Sequence, residues 1–222
     1  MFEHNWASIP KIERVEVNGR RLYEVEDKAY PSITTVLSNT EDKSGFYAWR
    51  KRVGEEKANQ ISQAATRRGT EVHSMCEDYL KNELRESADP DAQFLFNYIK
   101  PHLEKVTEVK CLESGLYSHT LGVAGTVDCI AVYDGKLSVI DFKTSTKEKK
   151  AEYIESYFLQ GCFYFWAYYE ITKEMPEQIV ILITTMEGSI QEFVIPKSDV
   201  IEWTNRLKDR IEAYHANNTA TA

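Results

Sequence analysis

The dipeptide Asp134-Gly135, set between two runs rich in Val, Ile, Ala and Tyr, constrains this chain more than any other feature. A two-residue loop of this kind supplies the positive φ angles of a type I′ turn, whose twist suits paired antiparallel strands. The turn pairs Tyr133 with Lys136 and so sets every pair behind it, since a slip of one residue would send each side chain to the other face. On that register Asp128 stands opposite Asp141 as a non-hydrogen-bonded pair, the kind whose side chains lie closer together. Lys143, two residues on, faces the same way, beside the apolar Ile130, Val132, Leu137 and Val139.

Like charges facing each other across a sheet cost up to ~1 kcal/mol when exposed and more when buried, so something should neutralise them. A divalent cation does so naturally. Mg²⁺ takes hard oxygen ligands and few protein carboxylates, which leaves positions for water and a phosphate oxygen. A lysine beside it can orient or deprotonate the attacking water, or stabilise developing charge. The bland alternative is an edge hairpin with two solvated aspartates paired to a lysine. Against it, the flanking residues are Val, Ile, Ala and Cys on both faces, poor company for acids without a role.

The rest of the chain supplies elements around this hairpin. Residues 11–25 alternate about Asn18-Gly19, a second hairpin signal, and Tyr30-Pro31-Ser32 opens a segment running to residue 37, so residues 1–40 are predicted as a small β element. Residues 45–82 are predicted helical from Phe46/Trp49/Val53 and Val72/Met75/Tyr79, and a helix over residues 92–106 follows Asp89-Pro90. Strands are predicted at 111–117, 125–133 and 136–142, then a long aromatic helix at 151–172. Two more strands, 178–185 and 189–195, meet at Glu187-Gly188. A final amphipathic helix carries Val200, Trp203, Leu207, Ile211 and Tyr214 on one face, and residues 216–222 are predicted as a frayed tail.

Composition narrows the function classes. At 222 residues and 42% hydrophobic content the chain can fill one real core. No apolar run reaches the eighteen or so residues of a spanning helix, and residues 1–10 lack the character of a signal or transit peptide, so a cytoplasmic protein is expected, without membrane contact. Cys76, Cys111, Cys129 and Cys162 form no CxxC pair and are predicted as buried thiols. The net charge of −8 argues against a general nucleic-acid coat. Residues 43–68, however, hold Lys43, Arg50, Lys51, Arg52, Lys57, Arg67 and Arg68 against Glu55 and Glu56. That run is either a basic patch or a solvated helix face. Interleaved with Phe46, Tyr47 and Trp49, it suits single-stranded nucleic acid, which needs phosphate contacts and stacking platforms.

Gly125-Thr126-Val127-Asp128, followed by Ile140-Asp141-Phe142-Lys143-Thr144-Ser145, resembles RecB-like nucleases of the PD-(D/E)xK superfamily, where an Asp precedes a strand carrying Asp-x-Lys. Gln160-x-x-x-Tyr164 resembles the QxxxY signature of that branch. Arg68-Gly69-Thr70-Glu71-Val72-His73 resembles its upstream motif with a metal-binding histidine, and Glu113 an extra acidic position. Tyr30-Pro31-Ser32-Ile33-Thr34-Thr35-Val36-Leu37 and Phe46-Tyr47-Ala48-Trp49-Arg50 are similar to N-terminal segments of the mitochondrial genome maintenance exonuclease type and its phage relatives. Each has a plainer reading: His73 as a core histidine, Gln160 and Tyr164 as helix packing, Glu113 as an ordinary strand glutamate.

The resemblance implies an α/β fold with a restriction-endonuclease-like mixed central sheet flanked by helices, residues 41–222 forming the nuclease core behind the N-terminal hairpin. It implies one or two Mg²⁺ or Mn²⁺ ions on His73, Glu113, Asp128, Asp141 and the Phe142 carbonyl, with Lys143 serving the water and Gln160 and Tyr164 framing the site or touching DNA. The four-cysteine iron–sulfur cluster of some relatives is not expected, because the cysteines are misplaced for it. Trp49, Arg50, Lys51, Arg52, Arg67, Arg68 and Ser145 are the expected DNA contacts. The expected function is a metal-dependent DNA exonuclease on single-stranded ends, in replication, recombination or repair and alongside proteins of those processes, in a bacterial or phage-infected cell. Two rivals stand beside it: a catalytically inactive DNA-binding or recombination accessory, and a metal-dependent hydrolase of another substrate.

Overall fold

Because Asp134 and Gly135 adopt φ of 50° and 78°, the expected primed turn forms, and the computed structural model, which describes residues 1–17 and 20–219, carries the expected register behind it. Pairs run from Tyr133/Lys136 back to Cys129/Ile140. The elements in chain order are β1 (Glu3–His4), β2 (Glu13–Val17), β3 (Arg20–Val25), β4 (Lys28–Pro31), α1 (Ile33–Thr40), α2 (Ser44–Val53), α3 (Glu55–Leu80) and α4 (Pro90–Leu103). They continue as β5 (Val106–Ser118), β6 (Val123–Tyr133), β7 (Lys136–Ser145), α5 (Glu155–Thr172), β8 (Gln178–Thr185), β9 (Ile190–Pro196) and α6 (Val200–Thr219).

The central sheet is mixed, in the order β1-β5-β6-β7-β8-β9, with β1/β5 and β7/β8 parallel and the other neighbours antiparallel. Helices α1, α5 and α6 cover one face over Val127, Ile130, Val139, Ile179, Ile181 and Ile183. Helices α3 and α4 cover the other over Cys129, Ala131, Ile140, Phe142, Val180 and Leu182. All eight residues of β8 are buried, which explains its unbroken apolar run: a strand covered on both faces has no polar side to show. This is the mixed α/β architecture expected from the sequence. The four cysteines are buried and free, and among the described residues no helix is long and apolar enough to cross a membrane.

The N-terminal forty residues depart from expectation. β2, β3 and β4 make a three-stranded antiparallel sheet rather than a lone hairpin, and β1 joins the central sheet instead. The Asn18-Gly19 turn lies outside the described residues, although Val17 pairs with Arg20 across it. Residues 33–40, expected as β, are helical. Ile33, Val36 and Leu37 share one face at helical spacing and bury it in the core beside α5 and α6, so packing overrides the β-branched composition. The helix expected over residues 45–82 is two, divided at Gly54, whose φ of 91° no helix allows. The helix expected to reach residue 106 stops at Leu103, and Val106 already begins β5. α6 continues to Thr219 through most of the expected frayed tail.

Helix α5 lies against β8 through Gly161, where an added methyl would overlap the Ile179 Cγ2 methyl. That methyl belongs to a fully buried, β-branched side chain and has nowhere to go. Gly161→Ala should therefore destabilise the protein by about 1–3 kcal/mol despite the better helix propensity of alanine, read as a lowered midpoint in thermal or urea unfolding. An unchanged midpoint would mean that α5 can lift off the sheet without cost.

Candidate active site

The pairing of β6 with β7 stops at Cys129/Ile140, one step short of the two aspartates. Instead of facing Asp141 across the ladder, Asp128 turns its carboxylate into the gap, where Oδ2 accepts the Phe142 N–H at 2.8 Å. This corrects the expected direct Asp128/Asp141 pair. Two buried carboxylates cannot share one site unrelieved, and each acquires its own partners. Asp128 takes the Phe142 amide and His73, whose Nδ1 lies 3.5 Å from Oδ1. Asp141, 1% exposed, takes Lys143, whose Nζ donates to Oδ1 at 2.6 Å and lies 2.5 Å from Oδ2. Lys143 also rests over the half-buried Tyr157 ring, 5.2 Å from its centre.

Helix α3 brings His73 over the gap. It can do so because Gly69, one turn earlier, has no side chain: a methyl there would press to 3.3 Å on Thr144 Oγ1 of β7. The His73 ring meets Phe142 edge-on at 6.2 Å, which fixes its plane. Glu113 arrives from β5, at the point between Leu112/Cys129 and Ser114/Val127 where it faces Asp128. Its φ is 42°, a left-handed conformation that a glutamate in a strand adopts only under constraint. One ligand atom each from His73, Glu113 and Asp128 lie within 4.8 Å of one another.

The charges interlock. Burial works against the Asp128 carboxylate, but His73, Lys143 and the Phe142 amide hold it below its ordinary value. Burial pushes Asp141 up to about 6, with Asp128 adding and Lys143 opposing. Lost solvation at the cleft wall, and then Asp128, push Glu113 up to about 7. His73 and Lys143 are desolvated too, yet the carboxylates outweigh that and raise both. Lys143 is thus held as an ammonium.

These residues fit a divalent cation. Asp141 Oδ2 is buried and, although the Lys143 ammonium lies 2.5 Å away, accepts no well-formed hydrogen bond, which leaves this oxygen short of the partners a buried carboxylate needs. Three ligand atoms of hard or borderline type already converge. A cleft of about 520 Å³ lined by Gly69, Thr70, His73, Ser74, Glu77 and Glu113 gives solvent and substrate access. Asp141 stands outside the converging trio, on Lys143. Phe142 contributes its N–H and ring to the site, while a role for its carbonyl rests on the family resemblance.

The other expected residues divide. Gln160 Nε2 lies 3.4 Å from the Tyr164 hydroxyl, which donates at 2.6 Å to the Thr126 carbonyl, so the buried Tyr164 faces the protein and not the cleft. Ser145 is buried, its hydroxyl donating to the Lys147 carbonyl at 2.6 Å. Arg50 is tied to Glu55 and Asn59, and Arg68 lies 3.7 Å from Asp91; their side chains are 19% and 14% exposed. Lys51 and Arg52 are exposed on α2, as are Phe46 and Tyr47, with Trp49 half-buried against Phe46. Arg67 is open to solvent, 3.8 Å from Asp89. Sequence reasoning missed Glu77, Thr70 and Ser74 on the cleft wall; Glu77 follows His73 at i+4, the one signal that could have found it. It also missed Tyr157 beneath Lys143.

Comparison with known proteins agrees with this geometry. Over 129 residues the chain is 33% identical to mitochondrial genome maintenance exonuclease 1 of Homo sapiens, covering 54% of this chain and 38% of that protein. The Xenopus tropicalis protein of that name is also 33% identical over 129 residues, covering 54% of this chain and 37% of its own length. The Mus musculus protein is 29% identical over 135 residues, covering 56% and 40%. The chain thus spans between 37% and 40% of the length of these relatives. Residues 46–222 match the PD-(D/E)XK nuclease superfamily, and this chain belongs to that superfamily.

Proposed function

We propose that this protein is a divalent-metal-dependent DNA exonuclease that works on single-stranded ends. The observation that carries the reading is the opening of the β6/β7 ladder, where His73, Glu113 and Asp128 converge and Asp141 stands outside that trio, held by Lys143. Cleavage requires a water oxygen to attack phosphorus, loss of that water's proton, and compensation of the charge that grows on the phosphate and leaving oxygens. A bound Mg²⁺ or Mn²⁺ supplies Lewis acidity and a more acidic water. The chain's own share is arrangement: Asp128 is oriented by Phe142 and His73, and Lys143 carries a positive charge next to the reacting phosphate and orients the water. Exonuclease names on the relatives support the choice of chemistry. The single-strand preference is supported by exposed Phe46 and Tyr47 beside Lys51 and Arg52, platforms for bases and contacts for phosphates.

On an end-labelled oligonucleotide with Mg²⁺, Asp141→Asn and Lys143→Ala should each lower cleavage by at least about 100-fold while still binding the strand. Cleavage by Lys143→Ala within about tenfold of wild type would remove the lysine from the chemistry. DNA bound by the wild type but never cut in Mg²⁺ or Mn²⁺ would mark a non-catalytic DNA-binding protein instead.

The acids also link stability to pH. Glu113 and Asp141 have raised folded-state values and His73 is raised as well, so the metal-free fold holds more protons than the unfolded chain. Their stabilising contribution is complete below the unfolded values and is lost as pH climbs through the folded ones; Asp128, lowered, titrates beneath this window. The melting temperature in EDTA should fall from about pH 5 to about pH 8, and Mn²⁺ should restore it most at the alkaline end, where the carboxylates are free to bind. A Mn²⁺ shift that does not grow with pH would exclude these acids as ligands.

Linear single strands should be degraded and closed single-stranded circles spared; equal rates would make the enzyme an endonuclease. Replacing Lys51 and Arg52 with alanine should lower the slope of log Kd against log salt by about 1.4, the value for two phosphate contacts on a single strand. An unchanged slope would make α2 a solvated face.

A further inference from the structure

Beyond Cys129 toward its start, β6 has lost β7 as a partner and runs beside β5, from Ser114/Val127 to Ser118/Val123, with a single bridge to Ser32 on its other side. Asp128 stands on this half-supported stretch, yet its carboxylate must reach one particular amide. The missing ladder is replaced at Thr126, two residues before Asp128. Tyr164 of α5 donates its hydroxyl to the Thr126 carbonyl at 2.6 Å, and the Tyr23 hydroxyl of β3 lies 3.1 Å from Thr126 Oγ1. Both tyrosines are buried, at 1% and 3% exposure. Gly125 makes the grip possible, since a methyl there would come within 2.9 Å of both the Tyr164 hydroxyl and Ile33 Cγ2.

We infer that Tyr23 and Tyr164 act together as a clamp on Thr126 that positions Asp128, which makes the small N-terminal sheet part of the active-site framework. This rests on the nuclease reading for its purpose, but its geometry stands apart from it. β3 brings no acid or base to the site. What it brings is a hydroxyl on the strand that carries the metal-binding aspartate, and Ser32, just after β4, bridges to Ala124 on the same stretch. Tyr164 then belongs to the positioning residues and not to those that touch DNA, with Gln160 supporting its hydroxyl from 3.4 Å.

The test uses Tyr23→Phe, Tyr164→Phe and the double variant, which keep the rings and delete the hydroxyls, with Thr126→Val, which removes only the Oγ1 partner of Tyr23 and keeps the carbonyl that Tyr164 holds, reading the β3 arm of the clamp should loss of the buried Tyr164 hydroxyl prevent folding. Two quantities are read. In metal-free protein, hydrogen exchange of the Phe142 amide, the donor to Asp128, should accelerate in each single variant by about tenfold more than other amides of β7, a local opening and not a global one. By calorimetry, Mn²⁺ affinity should fall about tenfold, in the range seen when supports of a metal ligand are removed. The double variant should lose less than the sum of the singles on a logarithmic scale, because both hydroxyls hold one residue. Faster exchange in a protein whose wild type binds no Mn²⁺ would uphold the clamp and sink the nuclease reading. Unchanged Phe142 exchange and unchanged Mn²⁺ affinity in both single variants would sink the clamp alone. So would unchanged exchange and metal affinity with weakened binding of single-stranded DNA by Tyr164→Phe, which would return that residue to the substrate.

Discussion

Two buried carboxylates at the end of one hairpin are the constraint around which this candidate site is arranged. Asp128 and Asp141 lie on neighbouring strands, are almost wholly removed from water, and would repel strongly if left face to face. The fold separates their obligations. One acid is bound to a backbone amide and a histidine, the other to a lysine on its own strand. The cost is a ladder that opens early, and the opening is the site. A continuous β6/β7 ladder would have used the Phe142 amide for pairing and left no gap for a ligand.

Everything that borders the gap is placed by packing. Helix α3 can lie close enough to β7 to deliver His73 because Gly69 meets Thr144 with no side chain between them. Helix α5 sits down on β8 through Gly161 and thereby carries Tyr164 to the underside of β6 and Tyr157 to Lys143. Glu113 is turned toward Asp128 by a left-handed residue inside an otherwise extended strand, where β5 is already irregular between Val109 and Cys111. Strain of this sort persists only where the surroundings enforce it, here at the cleft wall.

The basic segment shows how a pattern in one dimension changes meaning in three. Of the cations between residues 43 and 68, Arg50 and Arg68 are drawn into contacts with Glu55 and Asp91 and are largely covered, whereas Lys51, Arg52 and Arg67 stay open. Charge counted along the chain therefore overstates what a phosphate backbone would meet. Neither the Arg68–Asp91 partnership nor the cover over Arg50 follows from local spacing, because each depends on where another helix or turn comes to lie.

The turn at Asp134-Gly135 and the alternation around it were enough to determine the hairpin, its register and the shared location of Asp128, Asp141 and Lys143. Backbone twist and the two-residue period of a strand are local properties, and they act whatever the rest of the chain does. The order of strands and helices from residue 106 onward was legible for the same reason, and so was the face of α6. The ladder's early end, the helix at residues 33–40, Glu77 on the cleft wall and the inward turn of Tyr164 were decided only by tertiary structure. Each results from competition between distant groups: a carboxylate against a backbone carbonyl for the Phe142 amide, a buried apolar face against β propensity in α1, one helix packed against one sheet. No local period encodes the winner, because the free energy that settles it exists only once those surfaces meet.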